Sequence, residues 1–257
     1  KKIGPDAVLL MGLAGQEGGR AVRDVLNGTV TPSGKLTDTW AKRYEDYPAS
    51  ATFAMNDGQA DLEKYEEGIF VGYWYFDSFR TEPYYEFGYG KSYTTFTLTP
   101  EGCGFKGALF WAEETVQNSG KYPGAEVLQL YVTAYLERVD MPAWELKAFR
   151  KTRELAPGET QKLRLEFTVA DLAVYDEKRG AWIVTQGDYL VWTGTSSKDK
   201  KPVAIIRVKE DQVREYAPPI LPLPEPLKTL SHINRPMPQE ELSGLLVFDA
   251  PALPDAL

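Results

Sequence analysis

Alternation of apolar and polar positions is clearest at Gln161 to Val169 (QKLRLEFTV). There Leu163, Leu165, Phe167 and Val169 fall on one side, and Lys162, Arg164, Glu166 and Thr168 on the other. Side chains alternate faces along a strand, so this pattern predicts a half-buried antiparallel strand. Further strand-like runs are Leu109–Val116, Glu126–Ala134, Leu146–Leu155, Ala181–Val184, Asp188–Gly194 and Val203–Val208. Turn signals separate them: QNSGKYPG, LAPGET, DEKRG, TQGD and TSSKDKK. About seven short strands within 93–208 predict an all-β sandwich of immunoglobulin or fibronectin type III size. Cys103 is the only cysteine, so no pair can pin the two sheets, which favours the fibronectin type III-like variety.

The pattern before residue 93 is different. Ala7–Leu13 (AVLLMGL) is a continuous apolar run of strand length, as expected of a parallel strand buried on both faces. Ala21, Val22, Val25 and Leu26 then recur at helical spacing within Glu17–Leu26, and Asn27-Gly28 supplies a stop. A parallel strand needs a parallel neighbour, and no second run of this kind follows in the next sixty or so residues. Its partners are therefore expected outside the chain. Residues 29–92 are aromatic and punctuated by Pro, Gly, Asn and Asp, which predicts long ordered loops over a surface. The expected organisation is an incomplete α/β sandwich segment over 1–92, a fibronectin type III-like β-sandwich over 93–208, and a proline-rich extended tail over 209–257. That tail holds nine of the 18 prolines, yet it carries Ile220, Leu221, Leu223, Leu227 and Leu230. Such apolar content predicts an arm lying along a protein surface rather than a free linker.

Composition narrows the function. The 257 residues are 43% hydrophobic and 26% charged, with a net charge of −8, which argues against nucleic acid or an anionic membrane as partner. No apolar run approaches the roughly 20 residues that span a bilayer. The chain opens on Lys1 without a secretory leader, which leaves the compartment open, the cytoplasm being favoured over secretion. His232 is the only histidine and reads as an exposed polar residue of the tail. A Ser-His-Asp triad and a cysteine- or histidine-based metal site are thereby excluded, and neither metal nor cofactor is expected.

Three stretches invite a chemical reading. Gly12, Gly15, Gly18 and Gly19 surround a helix start, but their spacing is not that of a dinucleotide fingerprint and the required second strand is missing. They read as turn glycines. Glu17 would sit at the positive end of the helix, a setting that favours the ionised carboxylate, whereas a general acid needs a raised pKa. It reads as a helix-start carboxylate. YEEGIFVGYWYFD combines Glu66 and Glu67 with Tyr65, Tyr73, Trp74, Tyr75 and Phe76. Clustered aromatics bury large areas and are first of all core. The second reading is a carbohydrate-facing rim, with Tyr65, Glu66 and Trp74 as candidate substrate-binding residues.

In order along the chain, GQEGGRAVRDVLNGTVTPSGKL, RYEDYP, YEEGIFVGYWYFDSF, EPYYEFGYGKSYTTF, TVQNSGKYPGAEVLQLYV, ELKAF, LAPGETQKLRLEF and DLAVYDEKRGAWIVTQGDYLVWTGTSS resemble the C-terminal half of glycoside hydrolase family 3. The resemblance runs over about residues 7–208, and it is the ordered series rather than any single motif that makes it specific. Thr31 stands where the family usually has Asn, Thr37 where Pro is common, Trp74 where Arg is common and Lys91 where Leu is common. The resemblance implies a three-part enzyme of TIM-like barrel, α/β sandwich domain and fibronectin type III-like domain. It also implies retaining chemistry, with an Asp nucleophile on the barrel and a Glu acid/base on a sandwich-domain loop, the pair about 5–5.5 Å apart. Both lie outside the matched stretch, so no catalytic residue is assigned to this chain.

The implied function is a segment of a β-glycosidase, best a β-glucosidase, that supplies scaffold and a pocket rim. Its implied partners are the barrel and remaining sandwich strands of the same enzyme and a β-glucoside or oligosaccharide substrate. The length of the tail fits the family members that run on from the sandwich into a barrel. The alternative is a non-catalytic module that binds carbohydrate or dimerises, and self-association stays open.

Overall fold

A computed structural model describes residues 6–54, 56–58, 61–136, 139–220, 227–232, 242 and 244–254. Most of its regular structure is β-sheet. Nine strands lie between residues 96 and 208: β1 (Phe96–Lys106), β2 (Leu109–Asn118), β3 (Val127–Tyr135), β4 (Glu145–Lys151), β5 (Thr160–Thr168), β6 (Val174–Asp176), β7 (Ala181–Val184), β8 (Gly187–Gly194) and β9 (Lys200–Val208). Two more come from the tail, β10 (Gln212–Tyr216) and β11 (Leu246–Asp249). The helices are α1 (Gly18–Leu26) and α2 (Tyr73–Ser78). No helix among the described residues is long and apolar enough to cross a membrane.

A three-stranded sheet in the order β1-β2-β5 faces a five-stranded sheet in the order β11-β9-β8-β3-β4. The alternation read at 161–169 holds: Leu163, Leu165, Phe167 and Val169 are buried between the sheets. Phe110, Ala112 and Val116 of β2 join them from one side. Leu128, Leu130, Val132, Tyr189, Val191, Ala204 and Ile206 meet them from the other. The small β10-β7-β6 sheet stands beside this sandwich. The sequence pattern does not reveal β1, because Pro100, Gly102 and Gly104 interrupt its alternation. It is an edge strand with an irregularity at Pro100/Gly102, the setting in which a strand accommodates proline.

The run expected as β4 to Leu155 ends at Lys151, because Leu155 instead pairs in an isolated bridge with Gly124 and drops into the core. The run Ala7–Leu13 departs from the buried strand expected of it within this chain. It forms no strand here, and Val8, Leu9, Leu10, Met11 and Leu13 are all exposed. An apolar segment without hydrogen-bonding neighbours has no ladder to join, whatever its propensity. The helix that follows forms where expected, one residue shorter, with exposed Glu17 at its N-cap position and Asn27 at its C-cap. The turn reading of the glycines holds at Gly12 and Gly15, which take φ of +60° and +69°.

Two segments of the tail pair with the sandwich. β10 pairs antiparallel with β7, and β11 pairs parallel with β9 at the edge of the five-stranded sheet. Leu221 and Leu223 lie outside the described residues. His232 is not the exposed residue expected. It is half-buried, edge-on to Phe70 and Phe79 with ring centroids 6.2 and 5.7 Å away, because the tail carries it onto the aromatic segment.

Candidate functional site

β3 is buried on both faces, which a two-layer sandwich alone does not explain. The outer face is covered by residues 70–88. There α2 and the loop after it lay aromatic rings on the five-stranded sheet. Tyr73 stacks on Phe87 with centroids 4.6 Å apart and meets Tyr131 of β3 edge-on at 6.2 Å. Its hydroxyl accepts the Leu146 N–H at 2.9 Å, and burial pushes that hydroxyl's pKa up to about 12. Gly88 packs so tightly that an added Cβ would stand 2.8 Å from Gln129 Oε1. That glutamine in turn accepts the Tyr131 hydroxyl and donates to Thr195 O at 2.7 Å.

Within this aromatic layer lies a charged cluster. Asp77, one turn after Tyr73 on α2, has its side chain 2% exposed. Its Oδ1 meets Lys198 Nζ at 2.6 Å, and its Oδ2 accepts the Trp144 indole N–H at 2.9 Å. Burial nonetheless holds its carboxyl above the ordinary value, with Lys198 opposing. Lys200 is deeper. Its ammonium sits 3.2 Å from the centroid of the Trp144 ring and donates to Ser197 O. Burial pushes it down to about 7, against the pull of Asp77 and with the push of Lys198. A carboxylate with both oxygens engaged and no solvent access has no free proton-transfer route. The cluster is a polar joint that fixes α2 to the sandwich, supported by Ser196 donating to Glu86 and by Ser78 accepting the Ala143 N–H. Sequence reading missed it, since TSSKDKK carries only a turn signal. The available hint was Asp77 at helical spacing from Tyr73.

The three rim candidates are not brought together. Tyr65 and Glu66 lie on an exposed turn closed by the Gly68 N–H donating to Tyr65 O at 3.2 Å, and the Tyr65 ring is 69% exposed. Trp74 lies on α2, half-buried, edge-on to Tyr73 at 6.2 Å, and its indole N–H is buried with no acceptor at bonding geometry among the described residues. No hydrogen bond, ion pair or ring contact among those residues joins Trp74 to Tyr65 or Glu66. Likewise, no group of three or more His, Cys, Asp or Glu among them is placed to hold a metal ion.

The scaffold has known relatives. Residues 3–73 match the glycosyl hydrolase family 3 C-terminal domain, and residues 126–197 match a fibronectin type III-like domain. Over these residues the chain belongs to glycoside hydrolase family 3. The family 3 segment is 38% identical over 221 residues to beta-glucosidase A of Butyrivibrio fibrisolvens, covering 76% of this chain and 26% of that protein. It is 34% identical over 250 residues to a beta-glucosidase of Ruminococcus albus, covering 92% of this chain and 26% of the relative. That coverage carries the similarity beyond residue 208 into the tail. Among solved structures, beta-glucosidase 3B of Thermotoga neapolitana in complex with alpha-D-glucose is 42% identical with a TM-score of 0.72, over 77% of this chain and 27% of that one. The family 3 segment therefore spans about a quarter of the length of these relatives.

Proposed function

We infer that this chain is a non-catalytic segment of a retaining β-glucosidase. In this reading residues 1–92 complete the α/β sandwich domain, 93–208 form the fibronectin type III-like brace, and 209–257 wrap around both. The observation that carries it is the exposed apolar run at Val8–Leu13, set in a stretch that matches the family's C-terminal domain. Five large side chains left in water are what a strand looks like when its neighbours are on other parts of the fold. The barrel and the remaining sandwich strands of the same enzyme cover that run. The turn bearing Tyr65 and Glu66 then forms one side of the sugar pocket. An exposed tyrosine ring offers a stacking face to a pyranose, and a carboxylate accepts its hydroxyls. Both carboxyl groups that do the chemistry come from the covering domains.

The chain alone is expected to show no hydrolysis of an aryl β-glucoside. Turnover by the purified chain, without another polypeptide, would overturn the reading. Hydrogen exchange supplies a second check on the same sample. Amides of 7–13 should exchange at the rate of an unstructured peptide while those of 127–135 stay protected, and equal protection of both would contradict it.

A further inference from the structure

Beyond Pro218, the described residues of the tail touch the molecule at two separate places, and the first lies on the aromatic segment. The Leu230 N–H donates to Glu66 O at 2.9 Å. The Thr229 Cβ stands 3.5 Å from the place a Cβ on Gly68 would occupy. The His232 ring meets Phe70 and Phe79. The same few residues are tied to the sandwich, since Ser231 Oγ and the His232 N–H both donate to Asp140 Oδ1 at 3.0 Å. The second place is the far sheet edge. There β11 pairs with β9 from Leu246↔Ala204 to Asp249↔Arg207. Phe248 reaches toward the core against Phe105 and Phe110, with centroids 6.3 and 6.1 Å away. Lys209 holds Asp249 at 2.6 Å, the Ala250 N–H donates to Arg207 O at 2.8 Å, and the Leu253 N–H donates to Gln212 Oε1 at 2.7 Å.

We propose that the tail is an intrachain strap that positions the turn carrying Tyr65 and Glu66. Its far end is locked as a parallel strand on β9, and residues 227–232 pin that turn to Asp140 of the sandwich. The physical logic is one of effective concentration. Among the described residues the turn's own backbone bonds are Gly68 N–H to Tyr65 O, Phe70 N–H to Glu67 O and Val71 N–H to Ile69 O. A short peptide binding such a turn from solution would gain little. Once β11 is paired, the 227–232 segment is tethered nearby, and its contacts form against an intramolecular cost alone. β11 in turn gains from the ladder that edge strand β9 otherwise leaves open. Asp140 is the shared contact point, because it accepts from the strap while belonging to the connection between β3 and β4. The strap acts on the turn whatever the turn faces, so it stands apart from the sugar-rim reading.

Two measurements on the full chain test it. In a Cys103→Ala background, Gly68→Cys with Thr229→Cys places two thiols on carbons at disulfide separation. Mild oxidation of the folded chain should cross-link them, seen as a joined peptide pair by mass spectrometry. Because Gly68 has φ of +59°, which strains any replacement, the second measurement leaves it alone. Asp140→Ala and, separately, Phe248→Ala should each speed amide exchange at 66–70 and at Leu230 by about tenfold, the size of one lost charge-assisted or packing contact. Exchange across β3 should not change. A cysteine pair that stays reduced in a folded chain would overturn the proposal, and so would wild-type exchange at 66–70 in both variants.

Discussion

Asn118 gives the sharpest test of what holds the sandwich together. Its side chain is fully buried at the end of β2 and makes four hydrogen bonds. Nδ2 donates to Tyr122 O and Leu155 O, both at 2.8 Å. Oδ1 accepts the Thr94 hydroxyl at 2.6 Å and the Gly120 N–H at 3.1 Å. The residue thus ties β2 to the segment before β1, the turn after β2 and the connection from β4 to β5. Asn118→Ala removes all four bonds. Leu155 O keeps the Gly124 N–H at 3.0 Å, and the Gly120 N–H keeps Thr95 O at 3.2 Å. Tyr122 O and the Thr94 hydroxyl lose the partner they have among the described residues. The buried Thr94 hydroxyl stranded at about 1–3 kcal/mol, the part-buried Tyr122 carbonyl at less, and a small cavity give an expected loss of about 3–4 kcal/mol. That is a large part of the about 5–15 kcal/mol typical of a domain. In urea unfolding of the full chain, with a slope of about 2–3 kcal/mol/M, the sandwich midpoint should fall by about 1.5 M. Asn118→Asp keeps the two acceptor bonds but sets a carboxylate oxygen against two carbonyls. It should cost at least as much at pH 7 and less at pH 4, where a proton restores a donor. A midpoint shift below about 0.5 M for the alanine variant would refute the satisfied-network account.

Two titratable groups make pH-dependent predictions. Lys200 is pushed down to about 7 from the ordinary 10.5, so between those values the unfolded chain holds a proton that the folded chain has shed. Stability therefore rises with pH across that window, by a span of about 5 kcal/mol at most. Lys200→Met keeps an aliphatic stem over Trp144 and should flatten the rise; urea midpoints at pH 7 and 9.5 that differ as much in the variant as in the wild type would count against this. Glu114 points into the sandwich, where it accepts the Thr193 hydroxyl, and burial raises its carboxyl above the ordinary value against the pull of Thr193 and Lys201. A raised acid stabilises at low pH and loses that contribution as pH climbs through its folded value. Glu114→Gln should accordingly be more stable than wild type at pH 7, by about 1 kcal/mol, and close to it at pH 4, with the reverse order by thermal melting as the contrary result.

Period-two alternation over residues 109–208 marked seven of the eight strands there and much of the core, the short β6 excepted. At Gln161–Val169 each inward residue could be named, because a strand with one wet face writes its orientation into the sequence. Helix α1 was legible for the same reason, at a different period. The charge balance and the single cysteine and histidine removed whole classes of chemistry before any coordinates were needed. What stayed hidden depends on neighbours distant in the chain. β3 reads as one buried face, but its second face is covered only because Tyr73 and Phe87 arrive from some fifty residues upstream. Asp77, Trp144, Lys198 and Lys200 share no local pattern, and only the docking of α2 on the sheet makes them one cluster. His232 looked like a solvated tail residue until β11 and Asp140 fixed where the tail runs. Val8–Leu13 shows the converse: the sequence specifies a buried strand, and the tertiary structure leaves it in water. Local periodicity records which face of an element is buried, whereas the identity of the covering partner is set by packing that no short window contains.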